Sequence, residues 1–322
     1  MTRTGAQLAH ARADWVPGSS RVVGGRRAPY RFVMAWTTTQ RAERFLDVAG
    51  PLLREDAASN TVLLTAAASV ATSGPKIYGD EPPLFGWWAS ADGRVDGAFI
   101  HTPPFPAQLT ALPAAAVDPL AELLAGSGRP LAGVGAAGRG ADAFAAAWCA
   151  RHDADAELEM RLRLYRLVSL HAPEPAPPGR ADVTTAADAP LVRACMELFA
   201  RETGAMIGAS RTLDARVAAG AYTLWRDADT PVALAGCQRE IDGVRRVGPV
   251  YTAEPHRRRG YGAAVTAAAC RRALDGGTSQ LLLYADLDNP ASNTLYQRLG
   301  FAPVEDRVTL RFRPRPQAGG CS

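Results

Sequence analysis

Lysine is all but missing from this chain. Lys76 is the only one in 322 residues, which excludes a lysine nucleophile anywhere else. Arginine carries the positive charge instead. Together with abundant alanine, glycine and proline, this bias reads as the codon usage of a GC-rich bacterial genome. Cysteine is scarce and scattered: Cys149, Cys195, Cys237, Cys270 and Cys321 contain no C-x-x-C pair. An odd, dispersed set argues against a disulfide framework or a zinc site and for a reducing, cytoplasmic compartment. The five histidines do not fall at metal-ligand spacing either, so no metal is expected. No apolar run reaches the roughly 18 residues of a membrane helix, so no membrane partner is expected. A net charge of +4 is too weak to argue for nucleic acid.

What is present has the balance of a globular protein with a real core, 47% apolar and 21% charged. The length suits two domains. Residues 1–33 carry Arg3, Arg12, Arg21, Arg26, Arg27 and Arg31 against Asp14, with little apolar periodicity and no apolar segment like that of a secretion signal. They read as a disordered basic tail. Met34 begins the first well-patterned stretch and would suit an internal start. Residues 171–180 (His-Ala-Pro-Glu-Pro-Ala-Pro-Pro-Gly-Arg) are too proline-dense for a helix or central strand and read as a linker. This divides the chain into regions 34–170 and 181–314, with a short tail over 315–322.

The most informative stretch is Arg257-Arg258-Arg259-Gly260-Tyr261-Gly262-Ala263. It follows the apolar run Val247-Gly248-Pro249-Val250-Tyr251-Thr252 and precedes an alanine-rich helical run to residue 275. A strand entering a glycine-bearing turn and then a helix N-terminus makes an anion site. The first helix N–H groups have no internal partner, and the dipole adds about half a positive charge there. Glycine keeps Cβ atoms out of the way, and arginines add donors. The stretch lacks the third glycine of a dinucleotide loop and the Gly-Lys-Ser/Thr of a nucleoside-triphosphate loop.

A second block lies downstream: Asn289-Pro290-Ala291-Ser292-Asn293-Thr294-Leu295-Tyr296-Gln297-Arg298-Leu299-Gly300-Phe301. The pattern Arg257-x-x-Gly260-x-Gly262, followed by this block, resembles the acetyl-CoA signatures of the GNAT acyltransferase superfamily. The resemblance implies an α/β tandem GNAT-like fold with a mixed central sheet flanked by helices in each half. It also implies acetyl-CoA as acyl donor and an N-acetyltransferase activity by direct attack of an amine on the thioester. The acceptor would be a small-molecule amine, such as a metabolite or antibiotic, with a protein N-terminus or lysine left open.

By the same resemblance, the main chain of Val250, Tyr251 and Thr252 pairs with the pantetheine amides, as an added strand pairs with a sheet edge. Arg257, Arg258, Arg259, Gly260, Tyr261, Gly262 and Ala263 hold the diphosphate. Asn289 contacts the pantetheine arm and also suits a helix cap; Ser292 and Asn293 are weaker candidates for that contact. Tyr296 protonates or stabilises the departing thiolate, although the position also suits a half-buried structural tyrosine. Pro249 either marks where strands splay to admit the cofactor or is a packing accident.

No general base stands out. The strand before the loop offers Arg245 and Arg246 and no acid until Glu254. Glu202, Glu240, Asp242 and Asp286 each read as surface charges, and a water chain could serve instead. The missing base keeps a non-catalytic CoA-binding regulatory protein as the alternative. A nucleic-acid role confined to the basic tail is a second one.

In the second region the pattern predicts strands over 182–185, 222–226, 232–239, 245–252 and 281–286. Helices are expected over 189–204, 214–220, 263–275 and 291–299, and a last strand pair within 302–312. In the first region it predicts helix over 40–68, strands over 84–89 and 94–101, helix over 118–124, strand over 131–134, helix over 141–149 and strand over 159–170. This resembles a second, degenerate GNAT-like half. Thr102-Pro103-Pro104-Phe105-Pro106 stands where its phosphate loop is expected and offers no glycine and few N–H groups. That half is therefore expected to bind no cofactor of its own. Trp87-Trp88 and Tyr30/Phe32 suit either a pocket lining or core packing.

Overall fold

The computed structural model describes residues 34–204 and 210–315. The expectations for residues 1–33, with Tyr30 and Phe32, and for Cys321 lie outside the described residues.

The first half begins with β1 (Ala35–Thr39), α1 (Ala42–Glu55) and α2 (Thr61–Ser73). On α1, Phe45, Ala49 and Leu53 recur every four residues and bury one face. The single helix expected over 40–68 is thus two helices. The chain breaks where the Asp56 carboxylate accepts the Ser59 N–H at 3.1 Å, a local bond that competes with helix continuation. Then follow β2 (Leu84–Ala89), β3 (Val95–His101), β4 (Ala107–Leu109), α3 (Ala114–Gly126), β5 (Gly133–Ala137), α4 (Gly140–Cys149) and β6 (Ala154–Leu167). Trp87 and Trp88 are buried core residues, the latter against Trp36 with ring centroids 5.8 Å apart.

The second half repeats this order. It runs β7 (Arg180–Val183), α5 (Ala189–Thr203), α6 (Ser210–Ala218), β8 (Tyr222–Asp227), β9 (Thr230–Cys237), β10 (Val244–Thr252), α7 (Tyr261–Asp275), β11 (Gln280–Asp286), α8 (Pro290–Arg298) and β12 (Phe301–Pro314). The strand pair expected within 302–312 is one strand, β12. At the start of α5, Asp188 does not cap the helix with its own side chain. It closes a capping box with Thr185 around a preceding 3-10 turn.

The strands of the described residues join one sheet in the order β1-β2-β3-β4-β5-β12-β6-β11-β10-β9-β8-β7. The last strand of each half therefore pairs with the sheet of the other: β12 with β5 and β6 with β11, while β12 and β6 pair with each other along 301–314. The linker expected over 171–180 does not divide this sheet in two. Cross-strand ion pairs decorate the central seam, Arg163–Asp306 and Arg313–Glu157 both at 2.6 Å. These pairs are exposed, each adding at most about 1 kcal/mol. One sheet face carries α1 and α2 in the first half and α5 and α6 in the second; the other carries α3 and α4, then α7 and α8. Among the described residues no helix is long and apolar enough to cross a membrane.

Candidate functional site

The site begins where two parallel strands part. β10 pairs with β11 only at Val244, Arg245 and Arg246, opposite Gln280, Leu281 and Leu282. It keeps pairing with β9 on its other side as far as Thr252, with an irregularity between Val247 and Val250. β11 meanwhile continues along β6 to Asp286. From Val247 onward one edge of β10 is open, and a wedge-shaped gap separates it from β11. Pro249 sits at that irregularity, where the strands part. Val250, Tyr251 and Thr252 form the outer part of the open edge, paired to Ala235, Leu234 and Ala233 on the other side.

Past β10, a 3-10 turn (Glu254–His256) leads into the loop. Arg258 and Gly260 both adopt positive φ, 61° and 84°. The position of a Cβ on Gly260 would meet nothing nearer than Pro177 at 3.8 Å, so conformation rather than space calls for glycine there. At Gly262 space decides: a Cβ would lie 3.2 Å from the Thr252 hydroxyl. The first intrahelical bond of α7 runs from Ala264 N–H to the Gly260 carbonyl at 3.0 Å. The amides of Tyr261, Gly262 and Ala263 precede it and are the donors a helix N-terminus offers to an anion.

The loop side chains divide their roles. Arg257 turns back to the strand. Its Nε donates to the Thr252 carbonyl at 3.0 Å, its Nη2 to Glu202 at 2.5 Å, and its guanidinium lies 5.7 Å from the Tyr251 ring centroid. Arg259 lies over Tyr261 and 3.7 Å from Asp227. Tyr261 is buried and donates its hydroxyl hydrogen to Asp227, so its ring anchors the loop to the end of β8. Arg258 is exposed. Arg257 and Arg259 are thus engaged in shaping the turn, which leaves the main-chain amides and the exposed Arg258 facing outward.

On the far wall of the gap, Asn289 caps α8 by accepting the Ser292 N–H at 3.1 Å. The Asn293 amide donates to the carbonyls of Asp286 (2.7 Å) and Asn289 (2.8 Å) and accepts from the Tyr165 hydroxyl at 2.8 Å. That side chain is a structural knot between β11, α8 and β6. Tyr296 is buried beside Phe301, ring centroids 6.1 Å apart, and burial pushes its pKa up to about 12. Gly300 closes α8 at φ 93°, where a Cβ would fall 1.7 Å from the Ser169 carbonyl oxygen.

On the sheet face opposite α7 and α8, a cavity of about 450 Å³ opens beside Pro249. Both halves wall it. The first supplies α2 and residues 100–108, the second α5, α6 and the strand segments bearing Tyr222, Gln238 and Arg246. No acid lines it. Glu202 pairs with Arg257, Glu240 with Arg245 at 3.3 Å, and Asp242 with Arg54 at 2.8 Å across the two halves. Asp286 accepts the Asp288 N–H at 2.9 Å at the end of β11. The sequence did not mark Arg216 or the first-half lining residues as functional. Residues more than 100 positions apart meet there, and the available signal was only the lack of an acid near Arg246.

The first half lacks a matching loop, but not where the pattern placed it. Residues 102–106 connect β3 to β4, a three-residue strand too short to read from the sequence. The junction corresponding to the phosphate loop is 110–113, because β4 pairs parallel with β5 as β10 does with β11, and a helix follows each. There Thr110 N–H is spent on the Ala98 carbonyl at 3.0 Å, and Pro113 at the helix cap has no N–H to give.

Residues 191–301 match the model of the acetyltransferase (GNAT) family. A mycothiol acetyltransferase of Corynebacterium jeikeium is 35% identical over 79 residues, 24% of this chain and 23% of that protein. The chain thus spans only about a quarter of the length of the curated relatives it matches. A Drosophila protein of known structure superposes with a TM-score of 0.61 at 14% identity, covering 88% of this chain and 99% of that one. A tandem GNAT protein from the clavulanic acid biosynthesis pathway gives 0.53 at 15% identity, covering 89% and 100%. At such identities the likeness is one of fold. With the loop, the parted strands and the repeated halves on one sheet, residues 191–301 are similar to the GNAT family and the chain as a whole has a tandem GNAT-like fold.

Proposed function

We propose that the protein transfers the acetyl group of acetyl-CoA to the amine of a small molecule bound in the cavity beside Pro249. The parted edge of β10, running into the amides of residues 261–263, carries this reading. An open strand edge accepts an extended amide chain as it would another strand, and the helix N-terminus takes a diphosphate. Asn289 and Ser292 stand at the far wall of the same gap. The protein's contribution is to hold the thioester at the cavity mouth and fix the amine against it.

The amine nitrogen attacks the thioester carbonyl, the C–S bond breaks, and the thiolate leaves. A tyrosine is protonated at neutral pH and burial raises the Tyr296 pKa further, to about 12, so it suits a donor to the thiolate and not a base. The amine proton passes to water, since no carboxylate among the described residues lines the cavity. The same lack of an acid favours a second reading, a protein that binds CoA without turning it over. Calorimetry with acetyl-CoA, followed by thiol release across an amine panel, separates the two. One molecule bound per chain and amine-dependent thiol release support the transferase. Uptake without release supports the second reading, and no uptake overturns both.

A further inference from the structure

The cavity has an unusual charge pattern for a site that must take up an amine. The charged side chains lining it are Arg216 on α6 and Arg246 on β10. Neither has an acidic partner among the described residues. The nearby acids are committed elsewhere: Asp214 to Arg193 at 2.7 Å, Glu240 to Arg245, Glu202 to Arg257. The residues outside the described segments contribute one further acid, Asp14.

Arg216 Nη2 is buried with no hydrogen-bond partner, and its guanidinium lies 5.0 Å from the Tyr222 ring centroid. The Arg246 guanidinium lies 6.0 Å from the Tyr284 ring centroid, and burial pulls its pKa below the ordinary arginine range. A buried guanidinium nitrogen without a partner, on the same wall as a second guanidinium that has no counter-charge, is costly unless something anionic completes the pair. The rest of the wall is largely apolar, with Ile77, Ile100, Phe105, Phe199 and Leu213.

We infer that the acceptor is an amino acid or a closely related amine carrying a carboxylate and an apolar body, with Arg216 and Arg246 holding the carboxylate. This rests on the acetyl-transfer reading above. Planar forked donors match a carboxylate in pairs. Arg246 is the last residue of β10 paired to β11, so the open edge begins at Val247, one strand residue or about 3.3 Å further on. A molecule anchored by its acid group at the arginines therefore needs only amino-acid dimensions to bring its amine to the open edge of β10. The apolar wall receives the side chain, and a positively charged pocket disfavours a simple cationic amine.

The test compares leucine and phenylalanine with 3-methylbutylamine and phenethylamine, the same bodies without the acid, and with phosphoethanolamine as the phosphate-bearing arm. Thiol release from acetyl-CoA is the readout. The carboxylate-bearing amines are expected to show a kcat/KM roughly 10- to 100-fold above their decarboxylated partners, the range of a charge-assisted hydrogen bond. R216Q and R246Q are expected to erase that preference, mainly through KM, while acetyl-CoA affinity by calorimetry and the melting temperature stay near wild type. R216Q serves as the second variant because α6 lies away from the open edge.

Equal or better turnover of the neutral bodies overturns the inference, as does preference for phosphoethanolamine or a preference unmoved in both variants. Should no amine be turned over, binding of 4-methylpentanoate by calorimetry decides: uptake lost in R216Q supports the inference, and no uptake overturns it. Failure of acetyl-CoA to bind at all would instead sink the transferase reading.

Discussion

At the same junction, from a parallel strand into a helix, the two halves of this molecule use different chain. In the second half the connection is long, bends through two positive-φ residues, and leaves three helix amides unspent ahead of α7. In the first half it is four residues, 110–113, with its threonine bonded to β3 and a proline at the cap. Leu112 packs across Gly97, where a Cβ would approach it to 2.7 Å. The strand pairs around the two junctions are alike; the donors they leave unspent are not. Anion binding at such a junction thus depends on unspent donors and on backbone that can turn away from the helix axis. The first half contributes to the cavity wall through α2 and residues 100–108 and not through this junction.

The contrast can be attacked from several sides. The largest effect is expected where α8 ends. Its counterpart α4 ends at the C-cap Ala150 with φ of −67°, as α8 does at Leu299 with φ of −74°, but α8 then turns through Gly300 at φ 93°, where a side chain would strike the Ser169 carbonyl. Gly300→Ala should cost about 3–5 kcal/mol of stability in urea unfolding, while Ala150→Gly should cost well under about 1 kcal/mol. Equal costs would mean that the two helix ends carry the same constraint.

His101, at the end of β3, is a burden only the first half carries. It is buried with both ring nitrogens unpartnered, and burial pulls its pKa down to about 4. Its folded pKa lies below the unfolded value of about 6.5. The unfolded chain therefore takes up the proton first, and stability falls as pH drops from near 6.5 toward 4. The shift corresponds to about 3 kcal/mol over that window. His101→Leu should flatten this part of the stability–pH curve by a comparable amount. An unchanged slope would remove His101 as its source.

At the loop itself, Gly260→Val should weaken acetyl-CoA binding on the order of 100-fold, about 2.7 kcal/mol, because φ near 84° is strained for a β-branched residue. Pro113→Gly in the first half should leave the stoichiometry at one per chain. A second bound molecule in that variant would show that the proline alone closed the junction. The smallest effect is expected from Tyr296→Phe: kcat reduced about tenfold with acetyl-CoA affinity retained, the lower part of what a general acid contributes. A variant that loses affinity instead would make the tyrosine a packing residue.

Much of this was legible in the chain. The continuous apolar Leu84-to-Ala89 run, the helix after Gly262 and the Asn289 cap all rest on local rules, and the structure bears them out within a few residues. β4 was not legible, because three residues between Pro106 and Thr110 carry no period. Missing it shifted the first half's junction by one element. Nor was the path of β6 and β12, since nothing in either strand's own alternation says which half it will join. For the loop, glycine and arginine positions were readable, but the inward turn of Arg257 and the anchoring ring of Tyr261 depend on Glu202 and Asp227, distant in sequence. The cavity arginines escaped for the same reason: an unpaired charge is visible only once its surroundings are known.

The crossed terminal strands bear on how this molecule is made. A ribosome delivers residues in order, so the earlier lobe waits with β5 uncapped until the final segment has left the exit tunnel. Nascent chains should therefore resist protease late and all together, and severing the polypeptide near position 175 should yield pieces that recover order only when mixed.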